Sequence, residues 1–195
     1  MLPTRPWLRL LALVGLAAAR PERAVAQVGS VSSAQVINLA VAKTSKLTLS
    51  VVSGTVQTLA SFTDGTTNNF PTPVGIQTQW DLNPGQTGTV QVIGWFSTPA
   101  QALFNGAAGT SIPSSYIKGR VTTGVPVTYT AFTQNAVGGV GVAGGSLRLL
   151  NVTITGANKT ASRTDNLDLQ LDLTAAPSMV PGTYTGTLNI QAVTQ

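Results

Sequence analysis

The sequence contains neither cysteine nor histidine. Without cysteine it has no disulfide, no thiolate metal site and no lipid-modified cysteine. Without histidine it has no Ser-His-Asp or Cys-His catalysis and no imidazole metal ligand. Charge is scarce too: Asp, Glu, Lys and Arg make up 9% of the 195 residues, against ~25% in an ordinary soluble domain. Glycine (20) and proline (11) are plentiful, and the uncharged remainder is rich in Thr, Val, Asn, Gln and Ser. That remainder suits turns and strands better than helices.

Residues 1–26 have the three parts of a secretory signal. Arg5 and Arg9 charge the start, Leu8–Ala19 is apolar, and Ala24-Val25-Ala26 is a small-x-small cleavage site. An apolar run of about a dozen residues is short of the ~20 that span a bilayer as a helix. The expectation is a signal peptide over 1–26 and a single β-sandwich domain over 28–195, secreted to the periplasm or the bacterial cell surface. No stable transmembrane helix is expected after cleavage.

Cleavage changes the charge argument. It removes four of the eleven cations and Glu22, leaving seven against five Asp, a formal +2 with no Glu. The basic pI of 10.1 therefore belongs largely to the signal. Lys43, Lys46, Lys118, Arg120, Arg148, Lys159 and Arg163 are scattered rather than clustered. That pattern gives no track for phosphates, and nucleic acid is not an expected partner. An exported chain without disulfides must rely on its core, and 169 residues are enough to build one.

Period-two alternation recurs through the body of the chain. It runs through Ile37, Leu39 and Val41; Leu47, Leu49 and Val51; Val74, Ile76, Thr78, Trp80 and Leu82; and Val90 and Val92. It returns at Val125, Val127, Tyr129 and Ala131; at Ser146–Thr155; at Leu167, Leu169, Leu171 and Leu173; and at Tyr184, Leu188, Ile190 and Ala192. In Ser146–Thr155 the apolar face switches at Leu149-Leu150, which predicts a bulge. Asn-Pro-Gly, Asn-Gly, Gly-Gly and Pro-Gly turns separate the runs. Only Pro99–Phe104 suggests a helical turn. One apolar and one polar face per strand marks antiparallel sheets. The expected fold is all-β, an antiparallel Ig-like β-sandwich of about 8–10 strands, with Ser97–Gly124 as a crossover. Two small sandwiches split near Thr110 are the alternative.

Several motifs resemble chemistry. Gly139-Val140-Gly141-Val142-Ala143-Gly144 matches G-x-G-x-x-G, but strand periodicity follows it where a dinucleotide site needs a helix. A Gly-rich hairpin loop accounts for it better. Ser115-Tyr116-Ile117-Lys118 matches S-x-x-K without the partner motifs of penicillin-recognising enzymes. Asp168 and Asp172 share one strand face at roughly 13 Å, too far apart for a glycosidase pair. With Gln170 they read as an exposed, solubilising face. Asp64-Gly65-Thr66-Thr67-Asn68-Asn69 offers oxygens but lacks the ligand density of a dedicated calcium loop. Trp80, on an apolar strand face, reads as core; Trp95, opposite Val90 and Val92, is the candidate ligand contact for a sugar. No catalytic, cofactor or metal residue is assigned.

Val180-Pro181-Gly182-Thr183-Tyr184 resembles the tyrosine corner of Ig-like sandwiches, with Tyr184 hydrogen-bonding back to nearby backbone. A plain core tyrosine at a strand end is the other reading. Arg163–Leu167 and the G-x-Y-x-G-x-L-x-I of Gly182–Ile190 resemble the closing region of secreted bacterial β-sandwich proteins of unassigned role. They are also similar to the last strand of spore-coat-U-type and fimbrial subunits. The latter resemblance implies assembly by strand donation, in which one subunit's N-terminal strand completes the next subunit's sheet. Ile37, Leu39 and Val41 are then the candidate donor strand, although an ordinary first strand fits the same pattern. The cysteine pair common in fimbrial subunits is missing, and no catalytic residue is carried over.

These features lead to a non-enzymatic exported surface, structural or adhesive module, with a pilus-like subunit as its sharpest form. Self-association, other surface proteins or glycans are the partners it implies. A carbohydrate-binding module is the alternative, followed by a small outer-membrane barrel, which the lack of aromatic girdles disfavours.

Overall fold

Among the described residues the helical turns are short. Pro99–Gln101 and Ser114–Tyr116 are three-residue 3-10 turns, and the remaining regular structure is strand. The computed structural model describes Val36 and residues 38–195. The proposed signal at 1–26 and Ile37 lie outside them. The chain divides into two units, Met1–Ala42 and Lys43–Gln195. In the first, residues 38–42 form no strand, and Val36, Leu39 and Val41 are exposed.

The second unit contains eleven strands: β1 (Lys46–Ser53), β2 (Thr67–Asn69), β3 (Val74–Asp81), β4 (Gly88–Trp95), β5 (Leu103–Asn105), β6 (Thr110–Ile112), β7 (Ile117–Val121), β8 (Thr130–Ala131), β9 (Ser146–Ile154), β10 (Thr160–Asp172) and β11 (Asn189–Thr194). A larger sheet runs β1-β3-β10-β7-β8, with β2 also paired to β10. A smaller sheet runs β11-β4-β9, and β5 and β6 form a separate hairpin. Every strand pairing is antiparallel. The protein is therefore an all-β antiparallel sandwich.

The alternating apolar side chains meet between the sheets. Val74, Ile76, Trp80, Val121, Leu167, Leu169 and Leu171 come from the larger sheet, and Val90, Val92, Leu147, Leu149, Leu150 and Ile154 from the smaller. Burial of each large apolar side chain contributes about 1.5–3 kcal/mol. This core is what stabilises a chain without disulfides. Trp80 is buried as expected, and its indole N–H donates to the Asn158 carbonyl at 2.8 Å. The expected bulge is present as well: Val92 pairs with Leu150 and Ile93 with Arg148, leaving Leu149 as the extra residue. Both leucines are thereby buried.

Four expected elements differ. Leu39 and Val41 belong to no strand. Of the run Val125–Ala131 only Thr130–Ala131 pairs, because Pro126 has no N–H to give a ladder, and Val127 is left exposed. The last strand begins at Asn189 rather than near Tyr184, since Thr185 turns aside to exchange two backbone hydrogen bonds with Phe104. The stretch read as a crossover holds the β5–β6 hairpin and then β7, a strand inside the larger sheet.

Strand β7 escapes a pattern search because its middle inward residue is Gly119. A Cβ there would lie 2.8 Å from a Leu147 methyl and 3.0 Å from a Leu167 methyl, so any side chain forces those buried leucines to shift. Gly119→Val should therefore overpack the core and cost about 1–3 kcal/mol. Thermal unfolding followed by circular dichroism should show a midpoint lowered by roughly 3–10 °C; an unchanged midpoint would contradict this packing.

Candidate functional site

Polar side chains collect on the outer face of the larger sheet, and the register divides that face into two halves. In the half built by β7, β10 and β2, the side chains satisfy one another. Arg120 lies opposite Asp168 and donates to it twice, at 3.1 and 2.8 Å. That contact raises the guanidinium pKa, and the same group stacks 4.6 Å from the centre of the Tyr129 ring. Lys118 pairs with Asp172, and Gln170 donates to Asn69 at 2.7 Å. Asp172 also accepts from the Thr174 N–H and hydroxyl. Lys118 is the largest cause, followed by Thr174, of a carboxyl pKa held down at about 2.

This corrects the reading of Asp168, Gln170 and Asp172 as a solvated face guarding an edge. They lie on a strand with neighbours on both sides, Gln170 is buried, and both carboxylates are bound to cations. The S-x-x-K match also dissolves here, because the Lys118 ammonium is engaged by Asp172 rather than by Ser115.

The other half is built by β1, β3 and β10. Lys46, Asp81 and Thr160 share one rung, Thr48, Gln79 and Ser162 the next, and Ser50, Gln77 and Thr164 a third. A hollow of about 390 Å³ lies over the first two rungs. Lys43 reaches Asp81 at 2.5 Å and Thr160 donates to the same oxygen at 2.7 Å, in that order lowering the carboxyl pKa. The alternation of β1 and β3 was visible in the sequence, whereas the extension of the Leu167 strand back to Thr160 was not. Nor was the hollow, because it depends on how three distant segments align.

Asp165 points the other way, into the sandwich, where it is 4% exposed. Arg163 grips it with two guanidinium nitrogens and Thr123 donates to it at 2.6 Å. Arg163 also donates to the Thr123 carbonyl. The cluster ties the loop after β7 to β10, where β10 has no strand on that side.

Trp95 closes β4 and is half-buried, opposite Asn189 and Ser146. The neighbouring outer face is roofed by the segment 134–145. Ile93 is buried there although it lies outside the main core, and a Cβ on Gly138 would meet Val193 at 3.0 Å. The glycine motif lies in this roof. Val137 and Val140 exchange both backbone hydrogen bonds across Gly138-Gly139, whose φ values of 59° and 78° suit a two-residue hairpin. No helix opens at these glycines, so a pyrophosphate site has no helix N-terminus to use.

The Tyr184 hydroxyl donates to the Val180 carbonyl at 3.0 Å, lies 2.9 Å from the Thr110 hydroxyl, and its ring meets Phe62 edge-on. The residue sits in an irregular stretch before β11, next to the Thr185 bridge, not at the start of that strand. In the loop considered for calcium, Asn68 spends its amide on the Thr63 and Thr66 backbone, and Asp64 accepts the Met179 N–H. Among the described residues no three acidic groups gather as a metal site.

No protein-family model, curated protein or solved structure matches the chain.

The depressed pKa of Asp172 carries a sign. The charged form is favoured by folding, so its stabilisation is full above the unfolded value of ~3.9 and is lost as pH falls through about 2. Asp172→Asn should cost on the order of 1–2 kcal/mol at pH 7. Denaturant melts of both proteins should converge between pH 4 and 2; a gap independent of pH would refute the linkage. Tyr184→Phe removes the bond to Val180 and should cost about 0.5–1.5 kcal/mol. Urea midpoints would reveal it, and an unshifted midpoint would show the corner to be ornamental.

Proposed function

We propose that this chain is a non-enzymatic, exported bacterial β-sandwich, a surface, structural or adhesive module that self-associates by strand donation like a pilus subunit. One observation carries the reading. Leu39 and Val41 are 89% and 98% exposed and belong to no strand, yet they keep the alternation of one. Apolar side chains held in water gain about 1.5–3 kcal/mol each on burial. A strand laid along an open sheet edge buries them and satisfies its own backbone at once. Edges without a ladder partner are present: among the described residues β1 is hydrogen-bonded as a strand only to β3, and β11 only to β4, although β1 and β11 lie near each other.

The charge pattern supports a non-catalytic role. Asp81, Asp165, Asp168 and Asp172 are each held by a lysine or arginine. General acid–base work needs a carboxyl poised near neutral pH, and Asp81 and Asp172 are shifted the other way.

The test is the size of the secreted protein. Unboiled samples should run as an SDS-resistant ladder, and mass photometry should show multimers. Leu39→Asp combined with Val41→Asp should give monomers with an unchanged melting midpoint. A wild-type protein that stays monomeric at every concentration, or a double variant that assembles as well as wild type, would overturn the reading.

A further inference from the structure

We propose that the hollow over β1, β3 and β10 binds an acidic saccharide, a sugar unit bearing a carboxylate. None of the residues that line it belongs to the proposed donor strand, and the proposal does not depend on assembly.

The hollow is lined by unused hydrogen-bonding capacity. Among the described residues, the side chains of Lys46, Thr48, Gln79 and Ser162 make no hydrogen bond or ion pair with protein, whereas Lys118, Arg120, Asp168, Gln170 and Asp172 on the other half of the same face all do. The unspent groups are neighbours by register rather than scattered, and they line a hollow whose ~390 Å³ falls within the range of small-molecule sites. Hydroxyls both donate and accept, and an amide does so through separate atoms. Set at the sheet's ~4.8 Å strand spacing, their polar tips are interspersed with a wall that is mostly apolar. A sugar ring meets both, its hydroxyls on the polar tips and its C–H face on the apolar wall.

The charge selects among sugars. Both bonds to the Asp81 carboxylate, from Lys43 and Thr160, use Oδ1, leaving Oδ2 to accept a ligand hydroxyl. Lys43 already balances that carboxylate. Lys46, on the same rung, then contributes an ammonium with no carboxylate partner among the described residues. The hollow therefore holds one cation in excess, on a wall otherwise neutral. A single carboxylate on a sugar ring answers that pattern. A phosphate backbone needs a row of cations, which this face lacks.

The test is titration of the full secreted chain with oligogalacturonate, and with a neutral oligoglucose of equal length, followed by calorimetry and amide chemical shifts. The acidic probe should bind at least tenfold tighter than the neutral one, with shifts centred on Lys46, Thr48, Gln79, Asp81, Thr160 and Ser162. Lys46→Gln should abolish that preference, and Gln79→Ala should weaken both probes severalfold, each with an unchanged melting midpoint. Absence of binding at millimolar concentration, shifts centred on Trp95, an acid preference that survives Lys46→Gln, or acetate binding as tightly as the oligosaccharide would each overturn the proposal. Binding is read per chain, so a failure here is distinct from a failure to assemble.

Discussion

Strand β10 organises the larger sheet. Its first half pairs with β3 and its second half with β7 and β2, so thirteen residues hold together segments from three distant parts of the chain. The constraint is strict because side chains alternate with a period of two. A slip of one residue would turn Leu167, Leu169 and Leu171 to water and bury the carboxylates of Asp168 and Asp172. The apolar cost alone would be several times about 1.5–3 kcal/mol, so the register is specified by the core it closes.

That register also decides where charge sits. The chain has few ionised groups, and all three carboxylates of β10 lie beside cations. Lys118 and Arg120 of β7 meet Asp172 and Asp168, and Arg163 meets Asp165. The first two pairs lie on the outer face, partly shielded by their neighbours. The third lies inward, where an unpaired Asp165 would be costly; two guanidinium nitrogens and the Thr123 hydroxyl meet it instead. With those charges satisfied, the unpaired polar groups of the larger sheet's face stand out at the β1–β3–β10 end.

Much of the fold was legible because one-sided strands leave a period-two trace. Trp80 as core, the bulge at Leu149-Leu150 and the Gly138-Gly139 hairpin all followed from local pattern. Strand β7 did not, because Gly119 breaks the apolar alternation at its middle inward position, where the Leu147 and Leu167 side chains fill the space. The run through Tyr129 kept the pattern without forming the strand, because Pro126 cannot donate and its neighbours turn outward. Tyr184 shows the same limit: its alternation with Leu188 and Ile190 was genuine, but the bridge of Thr185 to Phe104 takes that stretch away from β11.

The amino-acid sequence by itself determined the class of the protein: an all-β chain with four of its eleven cations in the first 26 residues, no nucleophile–imidazole or thiolate chemistry, and a core without disulfides to support it. These properties depend on composition and short-range period, which need no knowledge of distant partners. Tertiary structure alone decided which strands are neighbours, which carboxylates are neutralised, and that Lys46, Thr48, Gln79 and Ser162 share one hollow. Those residues are up to 116 positions apart in the chain, and only the hydrogen-bond ladders of β1, β3 and β10 place them side by side.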